Sequence, residues 1–405
     1  MDSLFTRRTQ RSGVEQKNIG NKKQIVRTVY FSGPVSSSEL TRSLHLSTPK
    51  INSLLQELVR GSILRELGPG DSSGGRRPAI FGLVEESFYV IGITVNIHRT
   101  ILSIFNAANH EVSGPHYLDI PMQRDFSLML EIGDFLKQLI KEQAIDVTKI
   151  IGIGMELPGL ANIEMGENKT YFPGLDQLQS RMEEVFGYPV FFDNDARIRA
   201  FAEQHFGLAR DRKNALVVHA DWGIGLGIIL GGQLYTGKSG FSGEFGHIPM
   251  IENGSLCHCG KRGCLEAIAS VSALERIARA GLYSGAASLL HNLLEGDIER
   301  VSGNLVMQAA NSGDQFSISL FAEIGQWLGK GIVSLIQLFN PELIIIGGKM
   351  ATASQFLAAP MHQSIALHAN PDIAVDTEIL FSNMGEKAGT IGAAAYAIDQ
   401  LAQSK

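Results

Sequence analysis

The sequence predicts an α/β protein, in which a small N-terminal winged helix-turn-helix precedes a body of two α/β lobes. Three features lead there. Residues 1–84 hold 13 Lys and Arg against 6 Asp and Glu, a net +7, whereas the remaining residues carry −13. From Tyr89 onward, strands in a meander give way to strands alternating with helices, and the pattern occurs twice. A chain of 405 residues also exceeds one ordinary core. The expected division is 1–84 for the head, 85–195 for a first lobe and 196–405 for a second, with the C-terminal helix packing back on the first.

Bulk properties narrow the class. Apolar content of 44% with 19% charged residues is ordinary for a globular protein. The start, MDSLFTRRTQRSG, has no apolar h-region, so no secretory signal is expected. The apolar run LIIIGG at 343–348 is too short to span a bilayer. Three cysteines suggest no disulfide framework. A cytoplasmic location is the expectation.

In the head, an ordered helix is expected over 21–32 after a polar, poorly ordered start. Ser36 can cap the next helix, with Glu39 completing a capping box. His45-Leu46-Ser47 is a short turn, and Thr48 is expected to cap a second helix with Pro49 at its first position. Ile51, Leu54, Leu55 and Leu58 recur at helical spacing and point to a buried stripe. Ser47, Thr48, Lys50, Asn52 and Ser53 then stand off the stripe, where a recognition helix contacts base edges. The tip GPGDSSGG, followed by Arg76 and Arg77, reads as a wing whose arginines suit phosphates. Helix pairs of this kind are more often plain packing. The wing and the +7 charge tilt the reading to a double-stranded DNA partner.

In the body, strands are expected at 89–97, 100–107 and 111–120, a helix near 125–143, a strand at 149–155, a helix at 176–187 and a short strand VFFDND. NALVVHADWGIGLGIILGGQLY supplies two more strands. Ligands in such folds sit where loops leave the strand ends. The three cysteines fall within GEFGHIPMIENGSLCHCGKRGCLEAIAS, residues 243–270. His247, Cys257, Cys259 and Cys264 give H-x9-C-x-C-x4-C, and three thiolates with one imidazole form a soft tetrahedral set that suits a structural Zn2+. Buried cysteines with an incidental histidine are the plainer alternative, which the density of the cluster disfavours.

Glu244-Phe245-Gly246-His247, followed by CHCGKRGCLE, resembles the signature of the ROK family of bacterial repressors and sugar kinases, and the likeness covers essentially the whole chain. It implies an actin-like (ribonuclease H-like) sugar-kinase-type body. It also implies that Glu244, His247 and Glu266 line a sugar pocket in the interlobe cleft with Gly159, Asn194 and Asp195. Asp195 stands at the family's general-base position. Carboxylates and an amide in fixed positions suit adjacent sugar hydroxyls. A helix N-terminal carboxylate (Glu266) and a loop cap (Asp195) are the plainer readings.

The family's kinases carry D-x-G-G-T-K in the first phosphate loop, where this chain has Thr94-Val95-Asn96-Ile97-His98-Arg99. At the second loop, usually G-T-G, it has Asp221-Trp222-Gly223. Both substitutions disfavour ATP, so no catalytic role is expected and a repressor answering to a sugar or sugar phosphate is favoured over a kinase with a DNA-binding head. Two-fold DNA readers bind as homodimers, or as tetramers built from them. Residues 321–340 and 388–402 are candidate contact faces, with core packing the stronger expectation for each.

Overall fold

The computed structural model describes Leu4, residues 13–69 and residues 78–404. The chain divides into two compact units, one of residues 1–198 with 389–405, the other of residues 199–388.

The head lies in the first unit. Helix α1 (Gly13–Ser32) begins eight residues before the expected 21, because its polar first turns are held from outside by Lys50, which donates to Asn18 Oδ1 at 2.6 Å. Its core side is Ile25, Val26, Val29 and Tyr30. Strand β1 (Val35–Ser36) leads into α2 (Ser37–Leu44), and the predicted capping box is present: Glu39 N–H donates to Ser36 Oγ at 3.2 Å and Ser36 N–H to Glu39 Oε2 at 2.7 Å. His45 turns the chain in a left-handed conformation. Helix α3 (Thr48–Arg60) has Ser47 rather than Thr48 at its N-cap position, and the Ser47 side chain makes no capping hydrogen bond. Ser47 keeps an extended backbone and its carbonyl accepts the Ile51 N–H at 3.0 Å, which moves Pro49 to the second helical position, where its missing N–H is still harmless. Ile51, Leu54, Leu55 and Leu58 are all buried, as their spacing predicts. Strands β2 (Leu64–Pro69) and β3 (Ala79–Leu83) complete an antiparallel sheet of order β1-β3-β2.

The rest of the first unit is one sheet of order β10-β7-β4-β5-β6. Its strands are β4 (Tyr89–Val95), β5 (Thr100–Asn106), β6 (Glu111–Leu118), β7 (Ile150–Leu157) and β10 (Val190–Asn194); β10, β7 and β4 run parallel while β5 and β6 form the meander. A two-rung ladder, β8 (Ala161–Asn162) and β9 (Glu167–Asn168), sits beyond β7. The alternation of β4 and β7 sends Ile91, Ile93, Ile153 and Met155 to one face, under α4 (Ser127–Glu142) and α5 (Leu178–Phe186). On the other face Gly92 and Gly154 leave bare backbone for the C-terminal helix. A Cβ at either would overlap the carbonyl oxygen of Thr390 or Ala393.

Helix α6 (Asp195–Phe206) crosses into the second unit, whose sheet repeats the plan in the order β13-β12-β11-β14-β15. These strands are β11 (Ala215–Ala220), β12 (Ile224–Leu230), β13 (Gln233–Leu234), β14 (Leu343–Gly347) and β15 (Glu378–Phe381), again a meander on one side of the first strand and parallel strands on the other. Its largest core joins β11, β12 and β14 to α7 (Glu266–Ala269), α8 (Val271–Tyr283), α9 (Leu290–Leu293), α10 (Gly303–Asn311), α11 (Gln315–Phe339) and α12 (Ser354–His368). After the single turn α13 (Pro371–Ala374) and β15 the chain returns to the first unit as α14 (Lys387–Gln403). Two repeats of a five-stranded sheet, each opened by a meander and closed by parallel strands, make the actin-like plan expected for the body. Among the described residues no helix is long and apolar enough to cross a membrane. Residues 392–399 of α14 are all buried within the chain, so core packing accounts for that face.

Candidate functional site

The cysteine loop is a small twisted hairpin. Its arms meet in isolated bridges at Pro249–Cys264 and Leu256–Arg262. At its tip the Cys257 N–H donates to Lys261 O at 2.8 Å and the Gly260 N–H to Cys257 O at 3.0 Å. Gly263 is required at its place: φ is +75° there, and a Cβ would overlap the Ile251 carbonyl. The hairpin is pinned at its base by Leu265 and Phe245, which press together on α11 at Gly331.

This folding gathers His247, Cys257, Cys259 and Cys264, whose donor atoms all lie within 4.8 Å of one another. His247 Nδ1 lies 3.6 Å from Cys257 Sγ, and Cys259 Sγ 3.7 Å from Cys264 Sγ. An ion with metal–sulfur bonds of about 2.3 Å and metal–nitrogen bonds of about 2.0 Å at tetrahedral angles needs edges of about 3.5 Å and 3.8 Å. Those two edges match a tetrahedral ion, and the four residues together could hold one. Cys257 and Cys264 are buried, and burial pushes the Cys257 thiol up to about 12 and raises that of Cys264. A cation would reverse that, because a coordinated thiol is deprotonated outright. A second set, Cys257, His258 and Glu266, could also hold an ion but must share Cys257. It offers one thiolate and an exposed imidazole, so the four-residue set is the better centre.

Beside the cluster stand the three second-unit residues expected at a sugar. His247 turns its other nitrogen, Nε2, toward Glu244 Oε2 at 3.7 Å. Glu266 opens α7 and is buried, but it does more than cap a helix: its Oε2 accepts the Ile224 N–H at 2.9 Å. Its Oε1 faces His258 Nε2 at 3.1 Å, a contact that sequence reasoning missed, since His258 sits between two metal-type cysteines and reads as filler. In the first unit Gly159, Asn194 and Asp195 come together at the carboxyl ends of β7 and β10. Asn194 Nδ2 donates to Gly159 O at 3.0 Å, and Ala196 N–H donates to Asn194 Oδ1 and Asp195 Oδ1 at 3.0 and 2.8 Å. Beneath them lies a buried ion pair absent from the sequence reading. Arg197 Nε donates to Asp193 Oδ1 at 2.6 Å and Nη2 to Ala161 O at 2.9 Å, fixing the turn from which Asn194 and Asp195 project.

The turn at 221–224 is tied down by side-chain carboxylates. Trp222 N–H donates to Asp221 Oδ1 at 2.9 Å, Lys349 N–H to Asp221 Oδ2 at 3.0 Å, and Ile224 N–H to Glu266. Asp221 and Glu266 thus accept from the backbone amides of Trp222, Ile224 and Lys349. The Thr94–Arg99 stretch is a tight connection in which Asn96 N–H donates to Arg99 O at 2.9 Å.

In the head, Ser47, Thr48, Asn52 and Ser53 are exposed along one side of α3. Lys50 is half-buried and engaged by Asn18, so it differs from the outward-facing group its spacing suggests. Arg76 and Arg77 lie outside the described residues.

Known proteins align with nearly the whole chain. The xylose repressor of Bacillus subtilis (strain 168) is 27% identical over 389 residues, covering 94% of this chain and 95% of that protein. The DNA-binding transcriptional dual regulator NagC of Escherichia coli (strain K12) is 27% identical over 377 residues, covering 92% and 91%. Among solved structures, a ROK family transcriptional regulator described as a homologue of the E. coli MLC protein superposes with TM-score 0.80 at 26% identity, covering 95% of this chain and 97% of that one. A ROK family glucokinase from Streptomyces griseus, in complex with glucose and AMPPNP, shares the fold with TM-score 0.66 at 24% identity, over 76% of this chain and 98% of its own. With the ROK family profile matching residues 91–400, the chain belongs to the ROK family.

Proposed function

We propose that this protein is a cytoplasmic, sugar-responsive transcriptional repressor acting as a homodimer or homotetramer. Residues 1–84 bind an operator in double-stranded DNA, through Ser47, Thr48, Asn52 and Ser53 at base edges and Arg76 and Arg77 at phosphates. Lys50 joins them by exchanging Asn18 for DNA. The body, lobes 85–195 and 196–405, receives a sugar or sugar phosphate, and the residues proposed to contact it are Gly159, Asn194, Asp195, Glu244, His247 and Glu266. Zn2+ held by His247, Cys257, Cys259 and Cys264 is structural: all four positions are filled by protein, and the ion stiffens the loop that carries the sugar-facing groups.

The observation that supports this reading is the turn at 221–224, where Asp221 and Glu266 bring carboxylates onto the Trp222 and Ile224 amides, and such charge disfavours a phosphate there. Asp195 then acts as a hydrogen-bond partner for a hydroxyl rather than as a base. Relatives named as repressors, matched along more than nine-tenths of this chain, support the same reading. The sugar kinase with a DNA-binding head is the alternative, favoured only by the retained Asp195. Enrichment of DNA from a random library by the full-length protein, calorimetry against monosaccharides and their 6-phosphates, and an ATP-turnover assay test it together. The expected result is one enriched palindromic site, one class of sugar bound and no turnover; sugar phosphorylation at ordinary kinase rates would replace the repressor with the kinase.

A further inference from the structure

Helix α1 holds two partners at once. Toward the C-terminal helix α14, the Lys23 ammonium is buried and donates to Ser404 O and Oγ at 3.1 and 3.0 Å, and Gln24 Nε2 donates to Ala402 O at 2.9 Å. A cation and an amide thus satisfy the carbonyls left open at a helix C-terminus. One turn on, Arg27 Nε meets Asp399 Oδ1 at 2.5 Å, and Gln403 Nε2 donates to Asp399 Oδ2 at 2.6 Å. The Tyr30 hydroxyl reaches Asn109 Oδ1 at 2.8 Å, on the β5–β6 turn. Toward α3, Lys22 Nζ pairs with Glu57 Oε2 at 2.5 Å and Lys50 donates to Asn18.

Helix α14 in turn rests on bare backbone at Gly92 and Gly154. Tyr396, one turn before Asp399, is buried with its hydroxyl pKa raised first by that burial; the charges of Asp193, Arg197 and Asp399 all act on it. Asp193 and Arg197 are the pair beneath the Asn194–Asp195 turn.

We propose that α1 is the positioning element of the DNA reader: Lys23 and Arg27 index the recognition helix α3 to α14, which is seated on the bare backbone of β4 and β7 at Gly92 and Gly154, and β7 pairs with the strand that ends at Asn194. The indexing of α3 to α14 stands on these contacts alone. Only its meaning as a route from effector to operator rests on the function proposed above.

The test places spin labels, introduced as non-natural residues so that the cysteines stay intact, at Asn52 on α3 and Lys141 on α4 of the full-length protein. Wild type is expected to give one narrow distance distribution. Asp399→Ala, Arg27→Ala and the volume-conserving Lys23→Met are each expected to broaden it, and the exchange Arg27→Asp with Asp399→Arg to narrow it again. Against DNA enriched by the wild type from a random library, each single variant is expected to bind about 5- to 30-fold more weakly. Hydrogen exchange at Ile51–Leu58 is expected to stay as slow as in wild type, which separates misplacement of the head from its unfolding. Unchanged distances in all three single variants, unchanged DNA affinity despite broadened distances, or loss of α3 protection would each overturn the positioning role. If no DNA is enriched, the repressor reading fails, and the distance measurements still decide whether α1 fixes α3.

Discussion

Cys264 is buried within sulfur contact of Cys259, and without a cation its thiol is held protonated by its surroundings. Cys264→Ser is expected to lose the bound metal, read by elemental analysis of purified protein, and to lower the melting temperature; full metal stoichiometry in the variant would remove it from the ligand set. At Arg197 the logic is that of a desolvated charge. Truncation to Ala leaves the Asp193 carboxylate buried without its guanidinium, so a loss of about 3–5 kcal/mol is expected in denaturant unfolding. The double variant Arg197→Met with Asp193→Leu should recover much of it, because removing both charges lifts the desolvation cost. These residue identities were open to sequence reading to different degrees. The cysteines announce themselves by density, whereas Asp193 and Arg197 look like any surface i, i+4 pair until the fold buries them.

Helix α2 shows what local sequence can fix. The Ser36–Glu39 box forms as the S-x-x-E spacing predicts, because both partners lie within four residues and need no tertiary help. Hydrogen bonds from the backbone N–H and hydroxyl of Ser36 hold the Glu39 carboxyl below its ordinary value of 4.5. A lowered acid contributes stability in full above that ordinary value and loses it as pH falls through the lowered one. Glu39→Gln is therefore expected to destabilise the head by about 0.5 kcal/mol at neutral pH, the carboxylate being exposed and screened. Wild type and variant should converge as pH drops below the lowered value. A gap that persists or widens in acid would reverse the assignment. Helix α1 is the contrary case. GVEQKNIGNKKQ has little amphipathic signal, and its first turns are held by the Lys50 side chain of α3, 32 residues from Asn18 in sequence, which no local pattern contains. The shift of the α3 N-cap position from Thr48 to Ser47 is smaller in kind: either residue can stand there, and the backbone conformation at the turn chooses.

For the whole molecule, the two units carry separate cores, and the cysteine loop belongs to only one of them. Stripping the metal with a strong chelator is expected to speed hydrogen exchange in residues 245–270 and in the neighbouring turns of α11. Protection in α1–α3 and in β4–β7 should stay unchanged. Equal loss of protection in both units would mean that the loop supports more than its own core.

The sequence by itself determined most of the strand and helix succession of the first lobe, the repeated meander, the helix pair of the head, the buried stripe of α3 and the gathering of the three cysteines with His247. All of these depend on periodicity or on partners close in the chain. Only the tertiary structure decided that Asp221 and Glu266 accept from the Trp222, Ile224 and Lys349 amides, that His258 faces Glu266, that Asp193 and Arg197 are sealed in, and that α1 joins α14 to α3. Each of these couples groups whose solvation changes when distant segments meet, and a side chain's chemistry follows its neighbours and its access to water rather than its place in the chain.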